Sequence, residues 1–400
     1  MITIILSSNG SHELNGASNL KIRSMQRACM LTTAILPSVS VLITNYNGKS
    51  YLQECLRSVT ALEYPRIEVV VVDNGSTDGS VSMVAAEFPN VKVVASDSNL
   101  GYAGGNNLGL RFACGEYILF LNNDATVERE TVTKLIEAAA EEERIGVLGC
   151  KIYFGEGLTL QHAGGILFPW GVSRLVGCGE RDTGQFDEMR DVDWVSGAAL
   201  MVKRDVVDSV GPLETYFGLY KEDIDLCFRA HKADFRVVYV SAAVVHHRGS
   251  IATDTLLDAP GKYYWRQRSR IAFAIKNFGT SGCLVWLVWE MWNLAFRIIS
   301  AIYRSDGRWL SALLRAYYWN VVNIRGTMGL RPKALGGRKR GKLVREPSHP
   351  ADRLFSGCEE SELVPRVTGV RAQTHKRNMS LHEENLSPTW GTRIQAGKRD

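Results

Sequence analysis

Residues 67–78 read Ile67-Glu-Val-Val-Val-Val-Asp-Asn-Gly-Ser-Thr-Asp78, a β-branched run that passes directly into a polar turn. A run of valines bounded by turn residues predicts a buried strand. The chain around it repeats this arrangement, with amphipathic helical stretches such as Lys49–Leu62 and Asn106–Ala113 in between. Strands that alternate with helices indicate βαβ units, and hence an α/β fold with a mostly parallel sheet. The strands predicted in this way are Val39–Thr44, Ile67–Val72, Val91–Val94 and Tyr117–Leu121.

The composition of the 400 residues is that of a globular protein, with 45% hydrophobic and 22% charged residues. This excludes wholesale disorder and a polytopic membrane protein. The charge is uneven: residues 1–260 hold 22 Lys/Arg against 32 Asp/Glu, whereas residues 261–345 hold 17 against 2. The eight cysteines are scattered without a Cys-x-x-Cys pair, which disfavours a zinc site or a disulfide framework and suits a reducing cytoplasm.

These shifts in composition predict four segments. Residues 1–36 are expected to be a weakly structured extension, and residues 37–260 to form the α/β domain. Residues 261–330 are basic and aromatic-rich, which predicts helices associated with a membrane. Residues 331–400 combine Gly, Pro, Ser and mixed charge, which predicts a disordered tail.

Polar clusters follow the predicted strands, where ligands bind in parallel sheets. Asp73 could contact a ligand or cap its own Asp-Asn-Gly turn. The glycines of Asn99–Gly109 do not have the G-x-G-x-x-G spacing, so this loop either brings backbone close to a nucleotide or opens a helix. Asp124 follows a very apolar strand, where its carboxylate could hold a divalent cation beside a diphosphate.

Taken in order, these motifs resemble the family 2 inverting glycosyltransferases of the GT-A fold. Two further segments, Asp193–Ala198 and Leu219–Arg229, resemble the rhamnosyltransferase-like branch of bacteria, and Val244–Ser250 resembles its histidine segment. The resemblance covers roughly residues 38–278. It implies a Rossmann-like, mostly parallel sheet flanked by helices and followed by C-terminal amphipathic helices.

The resemblance also implies a donor site. Thr44, Tyr46 and Asp73 would bind the nucleoside, and Asn107 would line the nucleotide and sugar. Asp124 matches the last position of the family's D-x-D motif and would coordinate Mg²⁺ or Mn²⁺. The sequence departs from the family pattern just before it, because two neutral amides that could bind the sugar replace the earlier carboxylate: Asn122 and Asn123.

On the acceptor side, the resemblance implies that Asp223 is the general base and that Glu222 binds the acceptor. Asp225 and Arg229 are four residues apart, a spacing that permits a structural salt bridge. His246 is preferred as a ligand of the metal or diphosphate, with the next residue, His247, as the alternate. Trp194 could form a wall of the acceptor site or pack in the core.

The implied reaction is transfer of a sugar, for which L-rhamnose is the first candidate, by single displacement with inversion. The donor would be dTDP-rhamnose or another nucleotide sugar, and the acceptor a saccharide or lipid-linked saccharide in cell-surface polysaccharide synthesis. Two alternatives remain open: a nucleotide-sugar-binding protein without transferase activity and a sugar-phosphate nucleotidyltransferase. No nucleic acid partner is expected.

Residues 283–303 contain 17 apolar residues in 21. The four exceptions are spaced by 3, 4 and 3 residues, so they share one helix face. This stripe predicts an interfacial helix with its polar face in water, in a cytoplasmic protein that lies peripherally on the inner face of the cell membrane. The alternative is a helix packed on the catalytic domain with its stripe in water. The four residues are Glu290, Asn293, Arg297 and Ser300.

Overall fold

The computed structural model describes residues 36–249, 256–303 and 306–331. The segments expected as an N-terminal extension and a C-terminal tail lie outside the described residues, apart from Leu36 and Arg331.

The described strands are β1 (Val39–Asn45), β2 (Ile67–Asp73), β3 (Lys92–Ala95), β4 (Tyr117–Asn122), β5 (Ala125–Val127), β6 (Ile145–Phe154), β7 (Leu160–His162), β8 (Gly165–Leu167), β9 (Ser173–Leu175), β10 (Arg190–Asp191), β11 (Ala199–Lys203) and β12 (Arg236–His247). The described helices are α1 (Lys49–Thr60), α2 (Ser80–Glu87), α3 (Gly101–Leu110), α4 (Thr131–Ala139), α5 (Arg204–Val210), α6 (Glu222–Lys232), α7 (Ala259–Asn277), α8 (Thr280–Tyr303), α9 (Gly307–Val322) and α10 (Ile324–Gly329), with a 3₁₀ turn at Thr215–Phe217.

The central sheet has the strand order β10-β12-β6-β11-β4-β1-β2-β3. β3, β2, β1 and β4 pair in parallel, β11 is antiparallel to both of its neighbours, and β6 and β12 are again parallel. Within the described residues, six of these eight strands therefore run in the same direction. This is the expected mostly parallel sheet flanked by helices, the GT-A arrangement.

Alternate residues of the central strands enter two different cores. Val41 and Ile43 of β1 belong to one apolar cluster, whereas Leu42 between them belongs to the other. A strand buried on both faces has no polar side to alternate with, which explains the continuous apolar runs in the sequence.

Two predicted elements differ in extent from the observed ones. α3 begins at Gly101, five residues before the predicted start, because Asn99 Oδ1 accepts a hydrogen bond from the Gly101 N–H at 2.8 Å and opens the helix. The sequence predicts a short strand at Arg236–Val240 and a further apolar run at Ala242–Val245, whereas the structure has one long strand there, β12. Its pairing with β6 shifts register between Val240 and Val244.

The C-terminal helices are packed on the α/β domain. α7 starts at an N-cap formed by Asp258 and buries most of its second half, including Ser269 and Phe273. The Ser269 hydroxyl donates to the backbone oxygen of Leu219 at 2.7 Å, just before α6. α9 and α10 pack on α7 in turn.

Candidate active site

The loops after β1 and β2 are bonded to each other. Asn45 Nδ2 donates to Ser80 Oγ at 3.0 Å, and Asp73 Oδ2 accepts from the Ser76 N–H at 2.9 Å. Asp73 is only 4% exposed. The turn-capping interpretation of Asp73 is therefore the one that its contacts show, and a contact with the nucleoside stays a prediction.

Thr44 and Tyr46 lie at the same edge of the sheet, and both are half-buried. Thr44 Oγ1 is a buried hydroxyl oxygen for which the described residues offer no hydrogen-bond partner. The Thr44 methyl lies against Gly105 of α3, where any Cβ would come within 2.5 Å of it. The glycine-rich loop thus brings a helix backbone close to the end of β1, leaving a polar atom available to a ligand.

Asn107 is bonded to the loop after α5. Its Nδ2 donates to the backbone oxygen of Leu213 at 2.8 Å, and its Oδ1 accepts from the Leu213 N–H at 3.1 Å. Both atoms of the amide are therefore used in joining α3 to the loop after α5. The expected contact of Asn107 with the nucleotide and sugar stays a prediction.

The three residues at the end of β4 have different partners. Asn123 Nδ2 donates to Asn45 Oδ1 at 2.7 Å, which links the β4 turn to β1. Asn122 Nδ2 lies 3.1 Å from His247 Nε2, and Asp124 Oδ1 lies 3.0 Å from the same ring nitrogen. Asn122 and Asp124 thus converge on one imidazole at the end of β12.

His247, rather than the preferred His246, is the histidine beside Asp124. His247 Nδ1 lies 2.7 Å from Gln161 Oε1, an acceptor, so Nδ1 donates to Gln161, and Nε2 is the ring nitrogen that faces Asp124. His246 stacks on Tyr153 and bonds to the backbone oxygen of Gly155 at 2.9 Å. Neighbouring residues of a strand point to opposite faces of the sheet. Only one of the two histidines can therefore lie on the face where Asn122 and Asp124 contact an imidazole.

Asp124 Oδ1 and His247 Nε2 lie 3.0 Å apart. A carboxylate oxygen and an imidazole nitrogen are ligand types that divalent cations accept. Gln161 fixes the imidazole orientation, as outer partners of metal-bound histidines do. Asp124 also lines an open pocket with Thr126, His246 and Arg248. Within the described ranges, no group of three or more His, Cys, Asp or Glu is arranged to hold a metal ion.

Asp223 lies in the first turn of α6. Its Oδ2 accepts a hydrogen bond from the Gly197 N–H at 2.9 Å. The position is favourable for a negative charge, because the N-terminal end of a helix carries a partial positive charge. Glu222, the first residue of α6, is half-buried.

Tyr102 holds the same segment from the other side, since its hydroxyl donates to the backbone oxygen of Gly197 at 2.6 Å. Burial, and then the negative charges of Glu222 and Asp223, raise the pKa of Tyr102 well above its ordinary value. Tyr102 is therefore a neutral donor at physiological pH. It fixes the loop that binds Asp223.

The segment Ser196–Ala198 connects the two halves of the site. The Asn122 N–H donates to the backbone oxygen of Ala198 at 3.0 Å, while Gly197 bonds to Asp223. His162 Nε2 accepts from the Ser196 N–H at 3.1 Å, and burial, followed by the charge of Arg190, lowers the pKa of His162 to about 3. A neutral histidine thus supports the segment.

Trp194 is in the core, which corrects its assignment to the acceptor site. It is 1% exposed, its ring lies against Gly165, and its centroid is 5.2 Å from that of His162. Its Nε1 donates to the backbone oxygen of Ile166 at 3.3 Å. Its bulk positions the segment that follows it.

Three residues of the site have no signal in the sequence that would have identified them. Gln161, Tyr102 and His162 act through contacts between elements that are far apart in the chain. Only the segment Asp193–Ala198 indicated that this region belongs to a functional site. It does not reveal which side chains bond to it.

The comparisons with known proteins agree with this architecture. The model of "Glycosyl transferase family 2" matches residues 40–207. The N-acetylglucosaminyl-diphospho-decaprenol L-rhamnosyltransferase of Mycobacterium tuberculosis is 30% identical over 239 residues, which are 54% of this chain and 77% of that protein. The chain belongs to glycosyl transferase family 2.

Two further similarities to this family 2 glycosyltransferase are more distant. The O-antigen biosynthesis protein RfbC of Myxococcus xanthus is 28% identical over 240 residues, which are 57% of this chain and 18% of RfbC. The crystal structure of S. aureus TarS 1–349 in complex with UDP-GlcNAc has a TM-score of 0.49 and 18% identity. The match covers 74% of this chain and 84% of TarS 1–349.

Proposed function

We propose that the protein transfers L-rhamnose from dTDP-L-rhamnose to a lipid-linked saccharide, with inversion, at the inner face of the cell membrane. The relative from M. tuberculosis, an N-acetylglucosaminyl-diphospho-decaprenol L-rhamnosyltransferase, supports rhamnose as the transferred sugar and a lipid-linked saccharide as the acceptor. The product would enter cell-surface polysaccharide synthesis. The division of the chain into a catalytic domain at 37–260 and a basic, aromatic-rich helical segment at 261–330 is part of the same proposal.

One observation carries the proposed chemistry: the Ser196–Ala198 segment bonds to Asp223 on one side and to the end of β4 on the other. A carboxylate base is thereby fixed relative to the Asp124–His247 pair. Glycosyl transfer needs two such groups, because one must take the proton of the acceptor and the other must face the leaving diphosphate.

In the proposed mechanism, the acceptor hydroxyl oxygen attacks the anomeric carbon of the sugar as its proton passes to Asp223. The bond from that carbon to the diphosphate oxygen breaks, and the nucleoside diphosphate leaves with the electron pair. Asp124 and His247 would hold Mg²⁺ or Mn²⁺, which would supply positive charge for the departing diphosphate. Asn122 lies beside the imidazole of His247, and Thr44 Oγ1 is available to the nucleotide.

The test is incubation of the purified protein with dTDP-L-rhamnose and a prenyl-diphosphate N-acetylglucosamine acceptor. We expect dTDP release, an acceptor that gains one rhamnose by mass, and an anomeric configuration opposite to that of the donor. Retained configuration would contradict single displacement. Donor binding without turnover, or pyrophosphate release from dTTP and sugar 1-phosphate, would contradict transferase activity altogether.

A further inference from the structure

α8 has a polar face and an apolar face, and the polar one is directed into the protein. Glu290, at the middle of the helix, is 3% exposed and forms a two-point ion pair with Arg270 of α7, with both N–O distances at 2.6 Å. The hydroxyl of Tyr317 in α9 also donates to Glu290. The stripe that the sequence analysis placed in water is therefore the packing face of α8.

The opposite face of α8 consists of large apolar side chains in solvent. Val288 is 72% exposed, Trp292 81% and Tyr303 89%. The exposed row continues onto α9 with Tyr318 and Val321. Soluble monomers rarely expose a contiguous apolar patch of this kind, and such patches mark binding surfaces. The other exposed members on α8 are Leu284, Val285, Leu287, Met291, Phe296, Ile299 and Ile302.

The segment Ser281–Ser300 is long and apolar enough to cross a membrane, with a mean hydropathy of 1.3, and only 11% of the residues that give this value are buried. The Arg270–Glu290 ion pair argues against a membrane-spanning orientation of α8. Insertion of α8 across a bilayer would separate Glu290 from Arg270 and leave two uncompensated charges, which is strongly unfavourable. α8 is therefore held parallel to the protein surface, with its rotation set by this pair.

Charge distinguishes between the surfaces that could cover this face. Residues 261–345 hold 17 Lys/Arg against 2 Asp/Glu, and the exposed basic side chains on the described helices include Arg315 and Arg325. A second copy of the chain would bring two such basic surfaces together. An anionic lipid surface is complementary to them, and Trp, Tyr and Phe are the residues that settle at the headgroup level.

We propose that the outward face of α8, continued by α9, is a docking surface for an anionic lipid bilayer, with the helix lying in the headgroup region. The acidic body, with 22 Lys/Arg against 32 Asp/Glu in residues 1–260, is repelled from the same lipids, so one orientation is favoured. This inference rests on the proposed function for the identity of the membrane, its inner face, while its test does not require sugar transfer.

The docking face is also connected to the base. α7, to which Glu290 ties α8, ends in Lys276 and Asn277, and both bond to Asp225 in α6. α8 is thus joined to α7, and α7 is joined to α6, the helix that contains Asp223. A bilayer bound to α8 is therefore connected to Asp223 through two buried sets of contacts. This arrangement fixes the height of the active site above the lipid surface.

The first experiment is flotation of the full chain with vesicles of phosphatidylcholine alone or with one quarter phosphatidylglycerol. We expect binding to the anionic vesicles that weakens with salt. The triple variant V288S/W292S/F296S is expected to partition about tenfold or more less strongly, because three inserted side chains are removed. The matched control F112S/L158S changes two exposed apolar residues on the catalytic domain and is expected to float like the unchanged protein.

The second experiment measures quenching of tryptophan fluorescence by brominated lipids. We expect quenching in the unchanged protein and a clear loss of it in Trp292→Phe, which still floats. Circular dichroism and thermal unfolding of all variants check that they fold, which is expected because the changed side chains are exposed.

Three outcomes would overturn the docking surface: no flotation of the unchanged protein, equal flotation of the triple variant, or a dimer in sedimentation that the triple variant dissociates. A protein that floats as expected but transfers no sugar would contradict the proposed function and leave the docking surface intact. A soluble enzyme that transfers sugar without binding vesicles would do the reverse.

Discussion

Lys276 Nζ lies 2.8 Å from both carboxylate oxygens of Asp225, and both side chains are buried. Arg229 and Asn277 bond to the same carboxylate at 2.7 Å, and Glu214 lies 3.2 Å from Lys276. The positive charges of Lys276 and Arg229 balance the negative charges of the two carboxylates. The basic C-terminal segment is therefore joined to α6 by a buried, charge-neutral network.

Lys276→Met removes one charge from this network. We expect the free energy of unfolding to fall by about 3–5 kcal/mol, because Asp225 keeps a buried charge that is only partly compensated. Urea unfolding measures this loss. In the double variant D225N/K276M both charges are gone, so the loss is expected to be smaller than the sum of the single losses. Simple additivity would contradict the network.

Asp223→Asn tests the base. The amide oxygen of Asn can still accept from the Gly197 N–H, so the fold and donor affinity are expected to persist, whereas turnover falls by about 10²–10⁴-fold. Nucleotide release and donor titration measure the two effects separately. Near-normal turnover would exclude Asp223 as the base. Glu222→Gln serves as the neighbouring control, with a larger effect expected on acceptor KM than on kcat.

Metal dependence is tested at the imidazole. We expect chelator to lower activity and Mn²⁺ or Mg²⁺ to restore it. His247→Gln is expected to abolish Mn²⁺ binding in the presence of nucleotide, followed by electron paramagnetic resonance, and Gln161→Leu to weaken it about 10–100-fold. His246→Gln is the matched control. Full activity in excess chelator, or a larger effect at His246, would contradict the assignment of Asp124 and His247.

Asp73→Asn tests the nucleoside contact against the turn cap. Asn keeps an oxygen that can accept from the Ser76 N–H, so the turn is expected to persist. If the carboxylate binds the nucleoside, nucleotide affinity falls, because a charge-assisted hydrogen bond is lost. Unchanged affinity in a nucleotide titration would leave Asp73 with the capping role alone.

The acid sensitivity of the fold is predicted to depend on His162. Burial lowers its pKa to about 3, whereas in the unfolded chain it titrates near 6.5. The unfolded state therefore binds the extra proton, and this group makes the free energy of unfolding fall by about 1.4 kcal/mol per pH unit as the pH drops from about 6.5 toward 3. His162→Gln is expected to flatten that slope in urea unfolding between pH 4 and 6.5. An identical slope in both proteins would contradict the prediction.

The parallel strands β1, β2, β3 and β4 could be predicted because local chemistry determines them. The β-branched runs that end at Asn45, Asp73 and Asn122 are bounded by turn residues, and the observed strands differ from the predicted ones by a residue or so. The start of α3 could not be predicted in this way, because it depends on the Asn99 side chain opening the helix.

The site was predicted less completely because its side chains are oriented by tertiary contacts. Which of two adjacent histidines faces Asp124 depends on the register shift after Val240, and a sequence pattern does not reveal such a shift. The direction of Asn107 depends on a partner 106 residues away. In α8, spacing correctly groups the polar residues on one face, but it cannot tell whether that face meets water or Arg270.

The Arg270–Glu290 pair has a practical consequence for anyone who shortens this chain to obtain a soluble enzyme. A gene truncated before α8 would delete the partner of a buried guanidinium, so the product would be expected to misfold rather than to gain solubility. Better-behaved protein is more readily obtained by rewriting the outward residues of α8 as polar ones while Glu290 is kept. The outward face of α8 determines how soluble the protein is, and the inward face determines how stably it folds. The two properties can therefore be engineered independently.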